Sequence, residues 1–207
     1  VERINKSLMS TNSGIVSVDR FVFGENVSPD VPSHIKNLGH SAADKHLRDL
    51  CANCHLGNEK LETGWIDQQS RGGGCNACHL NYSNEAKEMH LAYLSSSKVD
   101  SLLPSVHPSL DLHISNDHCF GCHSRSGRIS TNYEGWHETL LDEKDILGEQ
   151  GYRVLQDKRV FEFVSEDVHH ELGMECIDCH NSYEVMGDGN IYLHEENAVK
   201  VRCEDCH

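Results

Sequence analysis

Apolar and polar positions along this 207-residue chain rarely keep one period for long. Residues 14–23 (GIVSVDRFVF) and 159–164 (RVFEFV) alternate in part, which predicts short strands, because successive side chains of a strand point to opposite faces. LGHSAADKHLRDLC predicts a helix running to Cys51. Ser41 is placed to cap it, Asp44 follows three residues on, and Leu47, Leu50 and Cys51 share a face. NEAKEMHLAYL, around His90, and WHETLLDEKDIL, opened by His137, predict two more helices. Elsewhere the pattern predicts short helices joined by long irregular loops. No run of about 18 apolar residues exists, so no membrane-spanning helix is expected.

Composition sharpens the problem. Only 37% of the residues are hydrophobic and 6% aromatic. That is a lean supply for a side-chain core, because ordering the chain costs entropy that buried apolar surface must offset. The formal charge is −15, from 33 acidic and 18 basic residues. Such a surface repels nucleic acid and anionic lipid, and suits solubility or docking to basic patches and cationic metal species.

The cysteines resolve it. All ten fall in five copies of one pattern: Cys51, Cys54 and His55; Cys75, Cys78 and His79; Cys119, Cys122 and His123; Cys176, Cys179 and His180; Cys203, Cys206 and His207. In C-x-x-C-H the two thiols add to the vinyl groups of a porphyrin, and the adjoining histidine is left under the iron. Zinc sites built from cysteine pairs take two pairs each, so five is an awkward number, and they need no histidine directly after each pair. Redox dithiols would want a thioredoxin-like βαβ setting, which the pattern lacks. Five covalent haem c groups are therefore expected, and their porphyrins would replace the missing apolar core. The spacing is short from Cys51 to Cys75 and from Cys176 to Cys203, which pairs haems one with two and four with five. The motif-free stretch 124–170 separates them.

Sixteen histidines leave eleven outside the motifs: His34, His40, His46, His90, His107, His113, His118, His137, His169, His170 and His194. Five would complete bis-histidine ligation; the four methionines are the competing axial ligands and would raise the potentials. His40 lies at the cap of the predicted helix, with His46 inside it as the reserve. His107 precedes Pro108, which stiffens the backbone. His169 and His170 stand just before Cys176, and His194 follows the turn-rich MGDGN segment. His118 is too near Cys119 to reach the far face of its own haem but could serve a neighbour, and either His90 or His137 could serve as a distal ligand. Gly72, Gly73 and Gly74 let backbone approach a porphyrin face, and Arg125 and Arg128 are candidate propionate partners.

The stretches SLMSTNSGI, LGHSAAD, LCANCHLG, RGGGCNACHL, CFGCHSRSGRIS, NYEGWHET and DVHHELGMECIDCHNSYEVMGDG resemble the large multihaem c-type cytochromes of metal- and sulfur-respiring anaerobic bacteria. The likeness covers nearly the whole chain, with SRSGRIS and MGDG the more specific parts. It implies an extracytoplasmic location, bis-histidine haems, and further chain and haems on both sides. By matching positions it favours His40, His107, His169 and His194 as distal ligands, with His137 as the fifth in preference to His90.

The expected fold is a multihaem cytochrome c: mostly irregular, with short α-helices and few short strands, wrapped round a haem chain. Residues 1–207 form one five-haem unit, a three-haem front part (1–124) and a two-haem back part (165–207). Val1 is not an initiator and His207 ends the chain on a proximal ligand, so a fragment of a longer chain is expected. The expected function is electron conduction rather than enzymatic catalysis, with other redox proteins, further cytochrome subunits or extracellular metal acceptors as partners. The alternatives are a reductase of nitrogen or sulfur oxyanions with one open haem, or a subunit of a polymeric cytochrome wire. No motif departs from C-x-x-C-H in the way that would flag an open haem.

Overall fold

The computed structural model describes residues 2–50, 52, 73–96, 103–123, 129–155 and 158–207. Cys51, Cys54 and His55 of the first motif, Gly72, Arg125 and Arg128 lie outside the described residues. The α-helices, in chain order, are α1 (Leu8–Thr11), α2 (Ser13–Val22), α3 (Ala42–Leu50), α4 (Asn76–His79), α5 (Asn84–Ser95), α6 (Asn116–His123), α7 (Ile129–Tyr133), α8 (Val168–Glu171), α9 (Cys176–Cys179), α10 (Ser182–Val185) and α11 (Glu195–Ala198). The strands are β1 (Leu80–Asn81), β2 (Ser109–Leu110), β3 (Trp136–Glu138), β4 (Tyr152–Val154) and β5 (Val160–Phe163). Contacts gather the described residues into two units. The first joins 2–50, 52 and 73–74 to 176–207, and the second holds 75–96, 103–123, 129–155 and 158–175. This grouping differs from a division in chain order into 1–124 and 165–207, because N-terminal residues meet the segment between the last two motifs: Gly14 lies against Leu193 and His194, and Gly187 against Arg3 and Ser7.

In the first unit, residues 13–22 are helical, which corrects the strand expected there. The inward stripe is Ser13, Val16, Ser17 and Arg20, spaced at helical period, with Ser13, Val16 and Ser17 buried. The Ser13 hydroxyl accepts the Ser33 N–H at 3.1 Å and the Ser17 hydroxyl accepts the Val31 N–H at 2.9 Å. Serine supplies both the close approach and the acceptors, while Ile15, Val18 and Val22 point outward. The apolar letters alternated; the buried face was largely polar. Asn12, left-handed at φ 49°, makes the break between α1 and α2. Val16, Ile35 and Leu47 form the small core, with Leu38 packed against it.

Helix α3 forms as its sequence predicts. The Ser41 hydroxyl accepts the Asp44 N–H at 3.2 Å, and Glu25 accepts the Ala43 N–H at 3.0 Å, so the helix start is satisfied from two directions. Asp44 is buried and takes a two-pronged bond from Arg20, Nε at 2.8 Å and Nη2 at 3.0 Å, together with the Gly39 N–H at 2.5 Å. This ties α2 to α3.

In the second unit, β1 and β2 pair antiparallel with Leu80 opposite Leu110. A three-stranded antiparallel sheet runs in the order β3–β5–β4, with Trp136 opposite Phe163 and Val154 opposite Val160. Phe161 and Val160 are its buried anchors. The strand expected at 159–164 is β5. The helix expected over WHETLLDEKDIL is not formed: His137 lies on β3, and only Glu143–Ile146 winds into a 3-10 turn, capped by Asp142 and Asp145. Gly135, at φ +88°, ends α7 and starts the strand; a Cβ there would sit 2.7 Å from the Ser165 carbonyl carbon. Local sequence could not reveal the deciding partner, β5, some 25 residues downstream. Helix α5 forms where expected, capped by the Ser83 hydroxyl on the Ala86 N–H at 3.1 Å.

Candidate haem sites

Each described motif sits on a single turn of helix. Motif two forms α4 with Cys75 as its cap, motif three ends α6, motif four forms α9, and motif five forms the 3-10 turn Cys203–Asp205. The turn returns the histidine to the first cysteine: the His79, His180 and His207 N–H groups donate to the carbonyls of Cys75, Cys176 and Cys203 at 3.1, 2.8 and 2.9 Å. Cys75, Cys78, Cys179, Cys203 and Cys206 are not joined in disulfides. Burial pushes the Cys78 thiol up from its ordinary pKa. Cys179 is pushed up by burial first, then by Asp178 and by Cys206 and Cys203, so the fourth and fifth motifs share one neighbourhood in the first unit. In the second unit α4 packs against α6, which brings the turns of motifs two and three together.

The ring nitrogens matter most. His79 Nδ1 donates to the Asp111 carbonyl at 3.0 Å. A carbonyl only accepts, so the proton is on Nδ1 and the Nε2 lone pair is left for a metal. The β1–β2 pairing brings Asp111 there. Its carboxylate is held by the Ser109 hydroxyl at 2.7 Å, the His113 N–H at 2.9 Å and the Asn81 amide at 2.6 Å, and these bonds keep it below the usual carboxylate range. His180 Nδ1 lies 2.6 Å from Glu184 Oε1, with the same consequence for Nε2. Such outer partners are what orient metal-bound imidazoles.

These residues fit a haem. Thiols and an oriented imidazole are grouped on one turn, and large apolar side chains stand uncovered beside them. Leu110 and Leu112 flank Asp111 and are 70% and 87% exposed; Leu172, before the fourth motif, is 77% exposed. Among the described residues no three His, Cys, Asp or Glu side chains gather as an ion-binding cage. A haem iron asks the protein for only two ligands.

The distal candidates are placed unevenly. His169 Nδ1 is 2.9 Å from Asp167, the residue that caps α8, and His170 Nδ1 is 2.8 Å from Glu166 while its ring meets Tyr133 edge-on. Both present Nε2. His107 is exposed and lines a cavity of about 380 Å³ together with His90, Tyr82, Ala86, Leu103 and Val106. His137 is half-buried opposite Glu162, on the strand that α7 connects to α6. His40 is exposed at the entry to α3. His194 gives its Nε2 to Asp30 at 2.9 Å, so ligation through that atom would require releasing Asp30. His34 Nδ1 accepts the Lys36 N–H at 3.1 Å, which puts the ring proton on Nε2 and turns that nitrogen away from a metal.

Sequence reasoning missed the carboxylates behind the histidines. The spacing of Glu184, four residues after His180, was visible in principle as a helical neighbour. Asp19, whose two oxygens lie 3.0 Å from His46 Nδ1, carried no such signal because it comes from α2. No protein family, curated protein or solved structure matches the chain.

Proposed function

We propose that this chain is an electron-transfer protein holding five covalent c-type haems in a bis-histidine environment, as part of an extracytoplasmic respiratory conduit. The observation that carries the reading is the use of every cysteine in five Cys-x-x-Cys-His turns. Its structural support is that His79 and His180 each hold the ring proton on Nδ1 and keep Nε2 for iron. Haem iron supplies the one-electron chemistry that side chains lack. The rest is done by the chain. Paired thiols would fix the attachment points, and the Asp111 carbonyl and the Glu184 carboxylate set the tautomer and rotation of the His79 and His180 rings. His40, His107, His137, His169 and His194 are the proposed distal donors. The acidic surface favours basic redox partners or cationic acceptors, while location and the presence of further cytochrome subunits rest on the resemblance.

Intact mass of the matured chain, with the oxidised optical spectrum, tests this. Five covalent haems and low-spin bands are expected. Bound zinc with no haem would end the proposal, and a substantial high-spin signal that binds nitrite or sulfite would favour the reductase.

A further inference from the structure

The two proximal histidines whose ring partners are defined face different acceptors. His79 Nδ1 donates to a neutral backbone carbonyl at 3.0 Å, and His180 Nδ1 meets a carboxylate at 2.6 Å. The geometry around Glu184 is specific. Asn181 caps α10 by accepting the Tyr183 and Glu184 N–H groups at 3.0 and 3.3 Å, which sets the helix directly behind the motif. Glu184 then projects back over one turn onto His180. Its side chain is 14% exposed, and Oε2 is buried without a hydrogen bond from any described residue. An anion this poorly solvated keeps its field, since water and counter-ions screen it little. Asp167, which plays a similar part behind His169, is 47% exposed and far better screened.

We infer that Glu184 is a positioning residue that makes the haem carried by Cys176, Cys179 and His180 more reducing than the one carried by Cys75, Cys78 and His79. A short bond from Nδ1–H to an anion pushes electron density to Nε2, and the buried charge itself favours the ferric state. Both effects lower the midpoint potential. The inference rests on the electron-transfer reading above and adds a direction to it: the fourth site is the harder of the two to reduce.

The test is Glu184→Gln in the haem-loaded chain, followed by spectroelectrochemical titration. Glutamine keeps an oxygen acceptor for Nδ1–H and removes the charge. One of the five potentials should shift upward while four stay in place, with five covalent haems and a low-spin spectrum retained. A loosened fold would not single out one potential in this way. If the variant matures poorly, the fully reduced, diamagnetic wild-type chain answers instead: the His180 Nδ1–H proton should resonate downfield of that of His79, and the opposite order overturns the inference. Five haems with all potentials unmoved in Glu184→Gln would overturn it too, leaving the electron-transfer reading intact. A wild-type chain without covalent haem would overturn both.

Discussion

Replacing Asp44 by alanine removes the carboxylate that ties α2 to α3 ahead of the first motif. Asp44 is 4% exposed and takes bonds from Arg20 Nε, Arg20 Nη2 and the Gly39 N–H. Deleting one partner of a buried ion pair costs about 3–5 kcal/mol, because the other charge stays behind uncompensated. Arg20 retains some water, being 21% exposed, and its Nη2 bond to the Asn37 carbonyl at 3.3 Å. Those two features reduce the ionic part to about 2 kcal/mol, and the orphaned Gly39 N–H adds about 1 kcal/mol. The expected loss is about 3 kcal/mol in guanidinium unfolding of the haem-loaded chain followed by far-ultraviolet circular dichroism. A pH arm isolates the charge. The Arg20 bond holds the Asp44 carboxyl below its ordinary value. Its stabilisation is therefore complete above the unfolded pKa near 4 and disappears as pH falls through the lower folded value. The wild type should lose stability on acidification in that window, and Asp44→Ala should lose correspondingly less there. A double change, Arg20→Met with Asp44→Leu, should recover much of the loss by restoring apolar packing without a stranded charge. A loss under about 1 kcal/mol for Asp44→Ala would refute the reasoning, since the pair would then be behaving as a solvated surface contact.

His169→Ala should turn one haem high-spin with five still attached; an unchanged spectrum would move the distal role to His170, whose Nδ1 is held by Glu166 in the same manner. Gly135→Ala places a Cβ 2.7 Å from backbone at a residue with φ +88°. It should destabilise the sheet by about 2 kcal/mol or more, seen as faster amide exchange in residues 160–163, and native exchange rates there would count against the assigned turn.

What the sequence disclosed depended on how far apart the deciding residues lie. Motif turns, the Ser41 cap of α3 and the Ser83 cap of α5 are contained within a few residues, so local letters were enough. Residues 14–23 misled because the inward face holds Ser13, Ser17 and Arg20 beside Val16, and the groups that satisfy the three polar side chains, on Ser33, Val31 and Asp44, come from later in the chain. His137 misled for the same reason, since β5 pairs with it from residue 162. Distal histidines are the extreme case. Their ranking by position placed His194 in the set, yet only a fold that delivers Asp30 to its Nε2 reveals a competing bond. No local signal records which ends of a chain meet, so the grouping of 2–50 with 176–207 is visible only in the fold.

On the proposed reading, the chain before haem attachment must rely on its own side chains for a core. Its buried hydrophobic residues, among those described, are Val16, Ile35, Leu47, Leu155, Val160, Phe161 and the alanines Ala43, Ala77, Ala86 and Ala198. A fully buried large side chain contributes about 2 kcal/mol, whereas each ordered residue costs about 1.5 kcal/mol of conformational entropy. So short a roster is little against the length of ordered chain described, and beside the motifs Leu110, Leu112 and Leu172 stand 70%, 87% and 77% exposed. Porphyrin faces would supply that contact. The chain with all ten cysteines changed to serine should therefore fail to unfold cooperatively and should bind a hydrophobic dye, even where circular dichroism still records helix. The haem-loaded chain should melt in a clear transition. If the serine chain melts cooperatively at a similar temperature without dye binding, polypeptide alone makes the core, and the idea that thioether-bound porphyrins replace it is wrong.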